Sequence, residues 1–187
     1  MTAVLLLEQL LNGLQLGVML FLMSAGLTLI FGVMGLINLA HGSLYMVGAF
    51  AAAAVAGATG SFVLGLAAAL AAAAAAGALV EVTVIRRLYD RDHLDQVLAT
   101  FALILIYSEG TRWVFGSVPL FLDIPEALRG PATLPLGIQY PKYRLAIILA
   151  GLAVAAGLFL LIARTRIGIR IRAGEADREM IAALGVD

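Results

Sequence analysis

A long run without charged side chains is the feature that most constrains how this chain folds. Residues 9–80 contain no Lys, Arg, Asp or Glu. The hydrocarbon core of a bilayer is about 30 Å thick and takes roughly 20 apolar residues per helix, so this run has room for three membrane passes. The whole chain is 63% hydrophobic and 13% charged, and a soluble domain carries about 25% charged residues. The sequence therefore predicts an integral membrane protein with an all-α fold.

Five apolar stretches indicate five membrane-spanning helices. The first stretch has no basic n-region before it and no small-residue cleavage site after it. It is therefore interpreted as a retained helix and not as a signal peptide. Residues 116–144 hold all five prolines of the chain and predict a loop outside the membrane, with aromatic side chains at the interface. We therefore expect a polytopic transmembrane helical bundle. Its spans are predicted at about residues 10–32, 44–58, 62–84, 96–115 and 145–163.

The distribution of arginine predicts the orientation of these spans. Three arginines lie in residues 86–95 and five in residues 164–187. Short loops rich in Lys and Arg face the cytoplasm, so both segments are expected there. Three spans precede Arg86, and the N-terminus is therefore expected outside.

Two sequence features within the spans predict local contacts. Small residues recur every four positions in the third span, where they allow another helix to approach closely. We interpret them as ordinary packing. Near the end of the fourth span, Glu109 and Arg112 are three residues apart, so they share a helix face and can pair. We expect them at the membrane interface, and the alternative is a role in the transport path. The small residues are Gly65, Ala69, Ala73 and Gly77.

The C-terminal stretch "RTRIGIRIRAGEADREMIAALGVD", residues 164–187, predicts a short amphipathic helix on a basic stem. Glu175 and Asp177 suit the first turn of a helix that begins near Gly174, and Gly185 stands where a C-terminal cap belongs. Two interpretations remain open: a helix lying on the anionic inner leaflet, or a docking helix for a cytoplasmic partner. Its apolar stripe consists of Ala176, Met180, Ala183 and Leu184.

Two stretches together resemble a known family. "GLTLIFGVMGLINLAHGSLYMVGAF", residues 26–50, resembles the N-terminal signature of the branched-chain amino acid ABC transporter permeases, of the hydrophobic amino acid uptake family. "TRIGIRIRAGEADREMIAALGVD" resembles the cytoplasmic coupling segment of the same family, a stem of the form R-x-G-x-x-x-R-A followed by a helix that ends in L-G. Their order and separation also fit, and the resemblance covers essentially all 187 residues.

The resemblance implies a permease subunit in a bacterial or archaeal cytoplasmic membrane, with residues 1–187 as one permease domain and residues 164–187 as its cytoplasmic coupling segment. The implied partners are a second permease subunit, two cytoplasmic ATPase subunits and a periplasmic or extracellular amino-acid-binding protein. The implied substrates are leucine, isoleucine, valine or similar hydrophobic amino acids. The residues implied to contact the ATPase are Arg172, Glu175, Ala176, Asp177, Met180, Ala183, Leu184 and Gly185.

Two departures from the family pattern stand out. The general importer pattern is E-A-A, three residues, then G, whereas residues 175–177 are E-A-D and Gly185 comes too late. Family members also usually continue with further spans, so the chain is expected to be a truncated product or a fragment.

The glycine-rich stretch then has a physical interpretation. Gly32, Gly35 and Gly42 surround Asn38 and His41 and allow the helix to unwind. Unpaired backbone groups in a membrane are tolerated only where they face protein or a water-filled cavity, and transporters build their paths from such discontinuous helices. Either Asn38 and His41, with Gly35 and Gly42, line the transport path, or they satisfy the break with hydrogen bonds inside the bundle.

No motif predicts catalysis by this chain. It has no G-x-x-x-x-G-K-[ST] phosphate loop, no H-E-x-x-H and no G-x-S-x-G. It also has no cysteine, which excludes thiolate metal sites and thiol nucleophiles. We expect no metal site, no cofactor and no nucleic-acid partner, with ATP hydrolysed by other subunits. The alternative function is a passive channel or a structural membrane subunit that has no ATPase partner.

Overall fold

A computed structural model describes residues 3–176, which form six α-helices and one short β-hairpin. The first five helices are long and apolar enough to cross a membrane, which confirms the five predicted spans and the all-α class. The helices are α1 Ala3–Met34, α2 His41–Thr59, α3 Phe62–Thr83, α4 His93–Phe115, α5 Lys142–Arg164 and α6 Arg166–Ala176, and the strands are β1 Pro131–Thr133 and β2 Gln139–Pro141.

These elements belong to two compact units. The three-helix unit comprises residues 36–125 and contains α2, α3 and α4. The split unit comprises residues 3–35 and 126–176 and contains α1, the β-hairpin, α5 and α6. In the split unit α5 packs on α1 where Gly151 meets Val18, a contact that leaves no room for a side chain on the glycine.

Helices α2 and α3 form a tight antiparallel pair in the three-helix unit. A Cβ added to Gly65 would lie 2.8 Å from the carbonyl oxygen of Ala52 and 2.9 Å from the Cβ of Ala56. One added to Gly48 would lie 3.2 Å from the carbonyl oxygen of Ala69. The two backbones therefore approach closely along the small-residue face of α3, which confirms that the face serves helix packing, and α2 is the helix that it meets.

The turn between α2 and α3 follows from local sequence. Gly60 adopts a left-handed backbone with φ +67°, which favours glycine, and its N–H donates to the carbonyl of Ala56 at 2.8 Å. Ser61 is the N-cap of α3, because its Oγ accepts the Leu64 N–H at 3.4 Å. The pause in the apolar run at residues 57–61 therefore marks a turn.

Helix α4 packs against α2 and is hydrogen-bonded to α3 and to the loop that connects the two helices. Gln96, which is 6% exposed, donates from Nε2 to the carbonyl oxygens of Leu88 and Arg91, both at 3.1 Å. Farther along α4 the hydroxyl of Tyr107 donates to the carbonyl oxygen of Ala76 at 3.4 Å. These bonds tie the start of α4 to the loop after α3 and its middle to α3 itself.

The last residue of α4 lies beside the middle of α2. The ring of Phe115 stacks on Phe50, with centroids 5.0 Å apart and planes at 30°. Phe50 is about ten residues before Gly60, and a helix rises about 1.5 Å per residue, so α4 ends roughly 15 Å below the α2–α3 turn. Helix α4 is therefore shifted along its axis relative to its two neighbours.

Candidate functional site

The glycine-rich stretch contains the predicted break. Helix α1 ends at Met34, residues 35–40 are not helical, and α2 begins at His41. Gly35 has φ +65°, a left-handed backbone that side chains other than glycine adopt at a cost, and its N–H donates to the carbonyl of Phe31 at 2.8 Å. Gly42 lies inside α2 with open space where a Cβ would stand.

Asn38 braces the break from within. It is 7% exposed, and its Oδ1 accepts the backbone N–H of Ala40 at 3.0 Å. Its backbone carbonyl accepts the N–H of His41 at 3.2 Å, and the carbonyl of Ala40 accepts the N–H of Ser43 at 2.9 Å. The side chain thus supplies a hydrogen bond that the interrupted helix lacks. A role of Asn38 in the transport path stays a prediction.

His41 opens α2 with one ring nitrogen uncommitted. Its side chain is partly exposed, whereas Nδ1 is buried and has no hydrogen-bond partner within residues 3–176. An imidazole nitrogen accepts or donates according to its tautomer. This nitrogen therefore has capacity for a water or a polar ligand group, which is compatible with the predicted path role.

Substitution of Asn38 by alanine is expected to lower the free energy of unfolding by about 1–2 kcal/mol, because the buried Ala40 N–H loses its acceptor. Thermal melting in detergent measures this. Leu39→Ala is the control, since the neighbouring side chain is 42% exposed. Unchanged melting of Asn38→Ala together with a raised KM for uptake would contradict bracing and favour a path contact.

Helix α6 contains the arginine-rich segment that follows the fifth span. The basic stem is itself helical and forms most of α6, which starts at Arg166. The amphipathic helix predicted from Gly174 lies largely outside the described residues and stays a prediction. Thr165 starts α6: this residue is extended, with φ −108° and ψ 161°, and its Oγ1 accepts the N–H of Gly168 at 3.1 Å. A threonine that bonds the third helical N–H is an N-cap.

Helix α6 folds back on the end of α5. Gly168 lies so close to the carbonyl groups of Leu161 and Ile162 that a Cβ could not be added without a backbone shift. Arg172 donates from Nη1 to the carbonyl oxygen of Ile162, one of the carbonyls that a helix end leaves unpaired. Arg172, predicted to contact an ATPase, thus takes part in the α5–α6 connection.

The remaining coupling residues are only partly within the described structure. Glu175 and Ala176 form the end of α6, and their backbone is helical. Asp177, Met180, Ala183, Leu184 and Gly185 lie outside the described residues, and their contact with an ATPase stays a prediction.

Glu109 and Arg112 form the predicted ion pair. Oε1 of Glu109 lies 3.2 Å from Nη1 of Arg112, and the two side chains are 69% and 66% exposed. The expectation that they lie at the end of the membrane span rests on the length of α4 alone. The pair lies between the level of the Tyr107–Ala76 contact and that of the Phe115–Phe50 contact, within the length of the α2–α3 pair.

A polar cluster in the split unit was missed from the sequence. Oδ1 of Asn12 in α1 accepts the hydroxyl of Tyr140 at 3.0 Å and Nη1 of Arg144 at 2.6 Å. Nε of Arg144 also donates to the hydroxyl of Tyr143 at 3.1 Å. The cluster fastens the β-hairpin and the start of α5 to α1. Asn12 could have indicated this cluster, because an asparagine side chain in a charge-free membrane span needs a hydrogen-bond partner.

Comparison with known proteins identifies the chain. The family model described as branched-chain amino acid transport system, permease component, matches residues 9–187. The chain belongs to this permease family. The permease is 29% identical over 97% of its length to BraD of Pseudomonas aeruginosa, a permease protein of a high-affinity branched-chain amino acid transport system. It is also 43% identical over 44 residues, 24% of its length, to the LivH permease proteins of Salmonella typhimurium and Escherichia coli K12.

The permease aligns with only part of these relatives. It covers 62% of BraD and 14% of each LivH protein. No solved structure matches it significantly. The family and the five apolar helices together make it a multi-pass membrane protein.

Proposed function

We propose that this permease is a membrane subunit of an ATP-driven ABC importer that moves branched-chain or other hydrophobic amino acids into the cytoplasm. The observation that carries the proposal is the family match over residues 9–187, together with the alignment to BraD along nearly the whole chain. The permease sequence contains no phosphate-binding loop, which supports partner subunits as the site of ATP hydrolysis.

The α5–α6 connection supports a mechanical link to such a subunit. Helix α6 follows the fifth span after one residue, Thr165, and is held to the end of α5 by Arg172. A movement imposed on α6 from the cytoplasm would therefore be transmitted to α5 without a flexible linker. The arginines of this segment favour a cytoplasmic position, with the N-terminus outside.

An ABC importer of this kind implies two further partners besides the ATPase subunits. A second permease subunit would complete the translocation path, and an external binding protein would deliver the amino acid. The break at residues 35–40 supports a path role for the adjoining polar residues Asn38 and His41, because non-helical backbone at membrane depth requires protein or water beside it.

The test uses the absence of cysteine in the chain. A single cysteine at Ala183, on the predicted apolar stripe, is expected to crosslink to a co-expressed ABC ATPase subunit in membranes. Arg129→Cys in the proline-rich loop is the control and is expected not to crosslink. Absence of a crosslink at Ala183, with the permease folded and the ATPase present, would favour a passive channel or a structural subunit, since neither needs a docking helix.

A further inference from the structure

The ion pair of Glu109 and Arg112 is exposed where a membrane protein rarely exposes charge. Both side chains are more than 60% exposed, and they project from the same face of α4 as the exposed Leu98, Phe101 and Leu105. That face is apolar for three turns and becomes charged in the last two. A change from apolar to charged residues along one helix face indicates that the two parts of the face have different surroundings.

The depth of the pair is set by two contacts of α4. Tyr107, which lies two residues before Glu109, donates a hydrogen bond to the carbonyl oxygen of Ala76 in α3. Phe115, which lies three residues after Arg112, stacks on Phe50 of α2. Glu109 and Arg112 lie between these two levels. The pair therefore lies between the two ends of the α2–α3 pair, whose helices each have the length of a single membrane pass.

Charged groups at this depth do not face lipid hydrocarbon. They are found against protein or in a water-filled cavity, and they mark substrate pathways. The pair has a further chemical property: it presents one carboxylate and one guanidinium side by side, 3.2 Å apart. An amino acid in water is a zwitterion, with an ammonium and a carboxylate on one carbon, and therefore carries the complementary pair of charges.

We propose that Glu109 and Arg112 bind the backbone zwitterion of the transported amino acid as it crosses the membrane. The Glu109 carboxylate accepts hydrogen bonds from the ammonium, and the Arg112 guanidinium donates to the carboxylate. Between substrates the two side chains neutralise each other. The site recognises what all α-amino acids share and leaves the side chain free, and this assignment rests on the proposed transport function.

Cysteines placed beside the pair test whether it lies in water and near substrate. Ile106→Cys and Trp113→Cys lie one turn before and one turn after Glu109, and both variants keep the two charges. In membranes both are expected to react with a charged, water-borne thiosulfonate reagent, and leucine is expected to slow the reaction about tenfold or more. Leu98→Cys, some 16 Å lower on the same face, is the control and is expected to gain no protection.

A second set of variants, which also carry Arg112→Gln, distinguishes binding of the zwitterion from steric blocking of the reagent by leucine. Leucine is expected to lose its protection of Ile106→Cys when Arg112→Gln is also present, while isovalerate, which has the carboxylate and no ammonium, protects weakly in either background. No reaction at Ile106→Cys and Trp113→Cys would mean that the pair faces protein or lipid and would overturn the proposal, as would reaction without protection. ATP-dependent leucine uptake by the same membranes reports the transport function separately: uptake without protection leaves that function standing and removes this site.

Discussion

Replacing Gly65 with leucine is expected to separate α2 from α3 and to leave little folded permease in the membrane. A Cβ at this position already comes within 2.8 Å of the Ala52 carbonyl oxygen and 2.9 Å of the Ala56 Cβ. The obstructing atoms belong to backbone and to alanine, so no flexible side chain can move aside. Overpacking costs about 1–3 kcal/mol, and we expect a loss near or above the upper end of that range.

Gly57→Leu is the matched control for this substitution. Gly57 also lies in the α2–α3 pair and in a helix, yet a Cβ there meets no atom within 4 Å. Both substitutions raise helix propensity equally, so a difference between them reports packing alone. Fluorescence-detected size-exclusion after heating in detergent measures the melting midpoint of each. Equal midpoints would show that the close approach of α2 and α3 contributes little to the fold.

Regular patterns made the spans and the small-residue face predictable. A charge-free run fixes the number of passes through the length of a helix that crosses a bilayer. Gly65, Ala69, Ala73 and Gly77 follow one another at the helical repeat, so the sequence indicates a close contact on that face. It does not identify the partner, because the complementary small residues of α2 become a matching face only when the two helices are paired.

Contacts between distant residues were not predictable from the sequence. Asn12 meets Tyr140 across 128 positions, and strands of three residues are too short to produce an alternating pattern. The depth of Glu109 and Arg112 was also hidden, since the length of α4 does not reveal how far α4 is displaced along α2. The sequence also did not reveal that the basic stem is helical, because the start of α6 depends on one hydroxyl group, that of Thr165.

Replacing Gly168 with alanine is expected to reduce ATP-driven uptake by about tenfold or more, the effect of a misplaced element on a coupled step. A methyl group at this position collides with the carbonyl groups of Leu161 and Ile162. Those carbonyls belong to the end of α5, so α6 must rotate or move away from it. The hydrogen bond from Arg172 to Ile162 then breaks, and α6 no longer moves together with the fifth span.

Gly174→Ala distinguishes this collision from a general effect of losing glycine. Gly174 lies in the same helix with nothing within 4 Å of its Cβ position, and alanine there is expected to preserve uptake or improve helix stability slightly. The amount of folded permease in the membrane is expected to be similar for both variants, because the atoms nearest to the added methyl group belong to the end of α5. Normal uptake by Gly168→Ala would mean that the orientation of α6 relative to α5 is not what transmits the movement. Reduced uptake with normal folding and with ATP hydrolysis still measurable would identify Gly168 as the point where hydrolysis is uncoupled from transport.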